Sequence, residues 1–144
     1  MSLFTAIAIS ASGMEAQRSR AEIITENLAN ADTTRTPEGG PYKRKDVVFT
    51  TAPGSSSFAD AMSLASGQNQ GVAVSDIMID DRDPERRYLP GHPDADAEGY
   101  VAFPRVNPAE EMVDLMGASR GYQANIAAIS AVKDMIARSI DLFR

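Results

Sequence analysis

Apolar residues recur at steps of three and four along the C-terminal quarter of the chain. Eight of the ten positions that this stepping selects are apolar, and no proline follows Pro108. A stripe of this period predicts one long amphipathic helix over residues 108–144, roughly 55 Å in length. So long a stripe favours a helical partner, in the same chain or in another one, over packing on a single globule. The selected positions are Met112, Leu115, Ser119, Tyr122, Ile126, Ile129, Lys133, Ile136, Ile140 and Phe143.

The run Asn107-Pro108-Ala109-Glu110 marks the start of this helix. Asparagine is a preferred N-cap residue, and proline suits the first helical position. Glu110, three residues after the cap, completes the pattern of a capping box. We therefore expect the helix to begin directly after Asn107.

A weaker version of the same period runs through the N-terminus. The stepping selects smaller and partly polar residues there, and Gly13 is the weakest point of the predicted helix. Asn27 to Asn30 indicate its end, where Asn30 is expected to adopt a left-handed cap. Because such a seam buries little apolar surface, we expect this arm to be marginal in the free monomer and to order on partners. The selected positions are Ile7, Ala11, Met14, Arg18, Ala21, Thr25 and Leu28, with Leu3 and Phe4 ahead of them.

The residues between the two arms carry strand and turn signals instead. A β-forming run from Tyr42 to Phe49 follows the turn signal Gly39-Gly40-Pro41. Residues 72–79 predict a second strand, whose alternation slips at Ser75-Asp76 as a β-bulge does. A third short strand is expected over 100–103. The stretch 50–71, rich in serine and glycine, is expected to be a loop or hairpin tip.

Together these patterns predict an α+β fold in which long N- and C-terminal helices pair as a coiled coil. We divide the chain into an N-terminal helical arm over 1–33, a small β-rich domain over 34–106 and a C-terminal coiled-coil helix over 107–144. The chain has no tryptophan, and its hydrophobic residues are mainly Ala, Ile, Val and Met. One thick globular core is therefore not expected.

Charge and composition narrow the range of partners. A formal net charge of −6 argues against nucleic acid, because phosphate binding needs clustered lysine and arginine. The one basic run, Lys43 to Lys45, is interpreted as a solvated strand edge. The chain contains no cysteine and no apolar run long enough for a membrane span, and its N-terminus lacks the pattern of a cleaved secretion signal.

Candidate chemistry concentrates in the acidic segment 76–98. The stretch from Asp94 to Gly99 resembles the start of a calcium-binding loop, but Arg105 stands at the twelfth position, where an EF-hand needs a bidentate glutamate. His92 is the one histidine, and a lone histidine in a turn-rich stretch gives no sign of a catalytic triad. We expect no catalytic, cofactor-binding or metal site, and we interpret His92 as a packing or capping residue.

Polar side chains interrupt both predicted helices. On the C-terminal helix, two interpretations stay open. They form a solvated face, or they set the register between neighbouring helices in an assembly. The candidates for register or interface contacts are Asn27, Asn30, Arg120, Gln123 and Asn125.

Several separate motifs resemble those of bacterial flagellar rod and hook axial proteins. The C-terminal helix carries MVDLM at 112–116 and ASRGYQAN at 118–125, and NLANADT at 27–33 resembles the end of that family's N-terminal helix. The middle narrows the resemblance to proximal rod proteins. It holds GPYKRKDVVF at 40–49, YLPGHPDAD at 88–96 and GYV at 99–101. Arg105 departs from the family pattern, which has asparagine at that position.

The resemblance implies a structural part and not an enzyme. In this family the terminal helices pair into a coiled coil that lines an axial tube, and a small β-rich domain lies outside it. Subunits are exported unfolded through the flagellar type III apparatus without a cleaved signal. They assemble with other rod proteins and with copies of themselves into the periplasmic drive shaft. The expected assembly seam consists of Leu3, Ile7, Met14, Leu28, Met112, Leu115, Tyr122, Ile126, Ile129, Ile136 and Ile140.

Three other functions compete with this one. A distal rod or hook-adaptor protein would share the helices but carry a much larger outer domain. A calcium- or cell-wall-binding module would centre on residues 83–104. A soluble coiled-coil adaptor would stay dimeric and never build a tube.

Overall fold

A computed structural model describes residues 3–52 and 71–141 of the chain. Two long helices flank a small β region, which confirms the predicted α+β class. The predicted loop tip at 53–70, and Phe143, lie outside the described residues. The helices are α1 (Leu3–Ala29) and α2 (Pro108–Asp141), and the strands are β1 (Lys45–Thr51), β2 (Val72–Ile79), β3 (Glu85–Tyr88) and β4 (Tyr100–Phe103).

The two helices pack against each other in antiparallel directions. Gly13 of α1 lies against Asn125 of α2, and Gln17 lies against Gly121. Four residues forward along α1 therefore correspond to four residues back along α2. By this register Leu3 lies near residue 135, so the last turn of α2 extends beyond the first described residue of α1.

The start of α2 has the predicted N-cap but not the predicted capping box. The side chain of Asn107 accepts a hydrogen bond from the Ala109 amide at 3.1 Å, and its carbonyl accepts one from the Glu111 amide at 3.1 Å. The described residues do not include the reciprocal bond of a capping box from Glu110 to Asn107. Asn107 is thus a simple N-cap.

The end of α1 differs from the prediction. No non-glycine residue of the described part of the chain has a positive φ, so the left-handed cap expected at Asn30 is wrong. Instead, the Asn30 amide group donates to the Glu26 carbonyl at 2.9 Å and accepts from the Thr33 hydroxyl at 3.1 Å. The side chain satisfies a terminal carbonyl of the helix, which removes the need for a left-handed residue.

β1 and β2 form an antiparallel hairpin that packs on α1. Val48 pairs with Asp76 while Phe49 pairs with Val74, so Ser75 is the extra residue of a bulge, as predicted. Near the far end of the hairpin, the Ser12 hydroxyl of α1 accepts a hydrogen bond from the Val72 amide at 3.0 Å. Gly71 lies so close to Ser12 that a Cβ there would overlap its hydroxyl oxygen.

β3 and β4 form a second two-stranded sheet, of which only β4 was predicted. β3 is the run Glu85-Arg86-Arg87-Tyr88, whose side chains are all exposed. Because it has no buried face, it lacks the apolar alternation that signals a strand. Its side chains cover β4 instead. The Arg87 guanidinium lies 4.8 Å from the centre of the Phe103 ring, and the Tyr88 and Tyr100 rings meet edge to face at 5.3 Å.

The buried core is small for a chain of this length. Only seven hydrophobic residues of the described part are buried, whereas seventeen large hydrophobic residues are exposed. In the described residues, neither helix has an apolar stretch long enough to cross a membrane. The buried hydrophobic residues are Ala16, Ile24, Tyr42, Val101, Phe103, Ala118 and Val132.

Candidate functional site

The two helices and the hairpin meet at a buried polar junction centred on Asn27. This side chain is fully buried, and its amide nitrogen donates to the Lys45 carbonyl at 2.7 Å and to Glu111 Oε2 at 3.2 Å. Its oxygen accepts from the Lys45 amide and from the Tyr42 hydroxyl, each at 2.9 Å. All four hydrogen-bonding positions of the amide are therefore used.

The contacts of Asn27 with Lys45 also protect an open strand edge. The Asn27 amide both donates to and accepts from the backbone of Lys45, the first residue of β1. A neighbouring strand would make the same pair of bonds. α1 therefore closes the edge of β1 where the hairpin begins, through bonds from one α1 side chain to the strand backbone.

Glu111 brings the first turn of α2 into the same junction. Its carboxylate is 1% exposed and accepts the Arg44 Nε–H at 2.6 Å in addition to the bond from Asn27. Arg44 also lies 3.9 Å from Asp114, which in turn accepts from Arg20 of α1 at 3.3 Å. A buried carboxylate is tolerated only with such partners, so α2 docks correctly only when residue 44 is in place.

The junction changes the acidity of Tyr42. Burial, followed by the nearby charges of Glu26 and Glu111, raises the pKa of the Tyr42 hydroxyl to about 12. A neutral hydroxyl is thereby kept as a donor to Asn27. Tyr42 thus stays protonated well above the ordinary pKa of tyrosine.

The basic run 43–45 is mostly not the solvated strand edge that we predicted. Arg44 pairs with the buried Glu111, and the Lys45 ammonium lies 2.6 Å from Glu26. Only Lys43, paired with Asp81 at 2.6 Å, is an exposed pair of the expected kind. The prediction was wrong for Arg44 and Lys45. These two residues lie where β1 begins, next to the end of α1 and the start of α2, so a carboxylate from each helix reaches them.

Close helix contact is made possible by glycines that face amide side chains. A Cβ on Gly13 would lie 3.0 Å from the Asn125 amide group, and a Cβ on Gly121 would lie 3.1 Å from Gln17 Cδ. Asn125 also donates to the Gly121 carbonyl at 2.9 Å. Gln17 Oε1 is buried and has no hydrogen-bond partner among the described residues. Each helix thus receives an amide side chain from the other.

The face of α2 that packs on α1 agrees with the predicted seam at only every second position. At the other positions, the residue directly before the predicted one faces α1. Leu115, Ile129 and Ile136 are half-buried, whereas Tyr122 is 38% exposed at the margin. Between them, α2 buries residues one step before the predicted ones, and Asn125 is half-buried beside Gly13. The buried residues of α2 are Glu111, Ala118 and Val132.

Part of the predicted seam is left uncovered by the chain itself. On α1, Ile7, Met14 and Leu28 are half-buried, whereas Leu3 is exposed. Of the candidate polar residues, Asn27 and Asn30 make bonds inside the chain, while Arg120 and Gln123 are exposed. As contacts between subunits, these positions stay predictions. The exposed large apolar residues of α2 are Met112, Val113, Met116, Tyr122, Ile126, Met135 and Ile140.

The residues considered for calcium or acid–base chemistry take part in local structure. Asp94 accepts from the Thr34 hydroxyl at 2.8 Å, and Asp96 accepts from the backbone amides of Glu98 and Tyr100. His92 Nδ1 accepts from the Asp94 amide at 3.1 Å, and its ring lies 6.3 Å from that of Phe103. His92 therefore both packs and caps a turn, as predicted.

The ends of the chain match two models of flagellar rod proteins. Residues 7–35 match "Flagella basal body rod protein", and residues 97–142 match "Flagellar basal body rod FlgEFG protein C-terminal". These segments contain most of α1 and all of α2, together with Asn27 and Glu111 of the junction. The similarity thus includes the paired helices.

Full-length relatives narrow the family. The flagellar basal-body rod protein FlgC of Bacillus subtilis is 42% identical to this chain, and the match covers 99% of both chains. The FlgC proteins of Borreliella burgdorferi and Salmonella typhimurium are 38% and 41% identical over 98% or more of their length. The chain belongs to the FlgC family. The resemblance to flagellar rod proteins seen in the sequence motifs is thereby confirmed, and so is the structural role that FlgC membership carries.

Proposed function

We propose that this chain is a non-catalytic subunit of the proximal flagellar rod. It assembles with other rod proteins and with copies of itself into the periplasmic shaft that transmits motor torque and surrounds the export channel. The observation that carries the proposal is the large apolar surface that a chain of the FlgC family leaves exposed on α2, exemplified by Met112, Val113 and Met116. Surfaces of this kind mark interfaces between proteins.

The paired helices supply the stiff part of the subunit. α2 has one face packed on α1, and its other faces are free for contacts with neighbouring subunits. Contacts that join different patches on identical subunits repeat around an axis, and they build open helical assemblies when the rotation does not close into a ring. Tyr122, Ile126 and Ile140, which α1 leaves exposed, supply apolar contacts between subunits in this arrangement.

The polar junction supplies the torsional link between the helices and the outer β region. Asn27 and Glu111 tie α1, α2 and the start of β1 together by buried hydrogen bonds. Because these bonds are directional and shielded from water, rotation of the helix pair carries the hairpin with it. A rod subunit needs this rigidity at the base of any outer domain that transmits load.

Export and localisation follow the pattern of the family in this proposal. The chain passes unfolded through the flagellar type III apparatus, keeps its N-terminus and folds at the growing rod in the periplasm. The absence of cysteine is compatible with that route, because folding then requires no disulfide formation. The small core also favours folding that is completed on partners.

Cryo-electron microscopy of purified basal bodies tests the proposed function. We expect density for residues 3–29 and 108–141 paired beside the central channel in the proximal rod. Density for the chain only outside the shaft would overturn the proposal in favour of an accessory wall-binding protein. A chain recovered only as a soluble dimer would indicate a coiled-coil adaptor instead.

A further inference from the structure

Two exposed surfaces of the chain that carry apolar side chains each contain one charged residue that has no ion-pair partner among the described residues. β2, with the sequence VAVSDIMI, has Asp76 as its one charge. Along α2, Arg120 is the one charged residue between Leu115 and Val132. Neither has an ion-pair partner among the described residues, although Asp76 accepts a hydrogen bond from the Ile77 amide at 2.8 Å. Each is therefore available for a partner of opposite charge.

Arg120 belongs to the face of α2 that points away from α1. Val113, Met116 and Arg120 follow the spacing i, i+3 and i+7, which places them on one side of a helix. Val113 is 62% exposed and Met116 is 53% exposed. The buried residues Glu111 and Ala118 lie on the opposite side, so we call Val113, Met116 and Arg120 the outer face of α2.

Asp76 belongs to a similar surface on the hairpin. Asp76 and Met78 are two residues apart after the bulge, so their side chains share one face of β2. Met78 is 61% exposed, and Asp76 is exposed as well. We call these two residues the β2 patch. Since the hairpin packs on α1 and the outer face of α2 points away from α1, one chain leaves both surfaces uncovered.

We propose that the outer face of α2 in one copy docks on the β2 patch of a second copy, with the Arg120 guanidinium paired to the Asp76 carboxylate. The apolar side chains match apolar side chains, and the unpaired cation meets the unpaired anion. Asp46, which lies opposite Met78 on the same face of the hairpin, is already paired with Arg44 at 3.5 Å. Because the two surfaces differ, the contact is heterologous and can repeat from copy to copy. This inference rests on the proposed function, since it names one contact of the assembled rod.

A charge exchange tests the pairing in cells whose own copy of the gene is deleted. Asp76→Arg and Arg120→Asp, each alone, are expected to lower the amount of chain recovered with basal bodies about tenfold. The double variant carrying both changes is expected to restore it. Asp83→Arg and Arg86→Asp make the same charge changes at exposed positions outside the two surfaces and are expected to leave recovery unchanged. A double variant no better than either single one would overturn the pairing.

Cysteine cross-linking identifies the partner, because the natural chain contains no cysteine. A chain carrying Asp76→Cys and Arg120→Cys is expected to be linked to further copies of itself when basal bodies are treated with a short bismaleimide, while each single variant is not. A spacer is needed because an Arg–Asp ion pair holds the two Cα atoms further apart than the roughly 7 Å that a disulfide can bridge. Incorporation without a cross-link, or a cross-link only to a different rod protein, would overturn the contact between copies and leave the proposed function intact. Absence of the natural chain from basal bodies would instead overturn the proposed function.

Discussion

Asn27 shows how a single amide can join three elements of the fold. It contacts Tyr42, Lys45 and Glu111, which belong to the segment before β1, to β1 and to α2. Replacing it with alanine leaves several buried polar groups without partners, and each such group costs about 1–3 kcal/mol. We expect Asn27→Ala to lower the free energy of unfolding by about 3 kcal/mol or more, measured by urea denaturation of the purified chain.

Asn30 offers the matched control for this substitution. It lies three residues later and makes its bonds only to Glu26 and Thr33, within or just after the end of α1. Asn30→Ala is expected to cost about 1 kcal/mol, as for loss of a local hydrogen bond. Equal losses from the two substitutions would contradict the central place of Asn27 in the junction.

Tyr42 makes the free energy of unfolding depend on pH in the alkaline range. Its pKa is raised to about 12 in the folded chain, by burial first and by Glu26 and Glu111 next, against about 10 in an unfolded chain. The unfolded state therefore loses this proton first as pH rises. The contribution of Tyr42 is fully present below pH about 10 and is lost as pH rises through about 12.

The loss of stability at alkaline pH is measured as the urea midpoint of unfolding at several values between about pH 9 and 12. This range brackets the ordinary pKa of tyrosine. We expect the part of the loss due to Tyr42 to be absent from Tyr42→Phe. Tyr88→Phe, at a tyrosine that is 64% exposed, is expected to behave like the natural chain. An identical pH profile for all three chains would contradict the assignment.

At the scale of the elements, substitutions at two glycines with different surroundings show how closely α1 and α2 pack. Gly13 lies against Asn125, whereas a Cβ on Gly117 would meet nothing within 4 Å. Leucine is a better helix former than glycine at both positions. At Gly13, however, it must push the helices apart, which typically costs about 1–3 kcal/mol.

We therefore expect Gly13→Leu to lower the thermal midpoint of the helical circular dichroism signal by several degrees. Gly117→Leu is expected to leave that midpoint unchanged or to raise it. Equal midpoints for the two variants would show that α1 and α2 do not approach closely at Gly13 in solution.

α1 is expected to be marginally stable in the free monomer. The described chain buries only Ala16, Ile24 and Asn27 fully on this helix, so its packing energy is small. We expect rapid hydrogen exchange across residues 3–28 in the monomer and strong protection in assembled basal bodies. Strong protection already in the monomer would contradict this prediction.

At the scale of the whole molecule, folding and assembly use different faces of α2. Ile129 is half-buried on the side of α1, whereas Ile126 is 44% exposed. Ile129→Asp is expected to abolish motility while leaving export intact, and to lower monomer stability as well, because it places a charge against α1. Ile126→Asp is expected to impair assembly while changing monomer stability by less than about 0.5 kcal/mol.

The two readouts for this pair are swimming in soft agar and urea denaturation of the purified chain. A motile Ile129→Asp strain would contradict the role of the helix pair. Full assembly of Ile126→Asp would show that this flank of α2 faces solvent in the rod.

The amino-acid sequence alone determined the elements whose signals are local. The helix start at Asn107, the bulge at Ser75 and the pairing of long terminal helices all follow from caps, alternation and period. The family motifs lie on the same helices, so membership in the FlgC family was accessible from sequence as well. β3 was missed because an exposed strand of charged residues carries no periodic signal.

Only the tertiary structure decided which face of each helix is buried. Periodicity favours the largest apolar side chains, and it selected Met112 and Ile126, but the helices approach closely at glycines and bury Ala118 and Val132 instead. Periodicity also does not predict that Glu111 is buried. A carboxylate is tolerated at this position only because Arg44 and Asn27 reach it from distant parts of the chain. The physical reason is that the local sequence shows the helical repeat of apolar residues. Which side of the helix becomes buried depends on the side chains that meet it from distant parts of the chain.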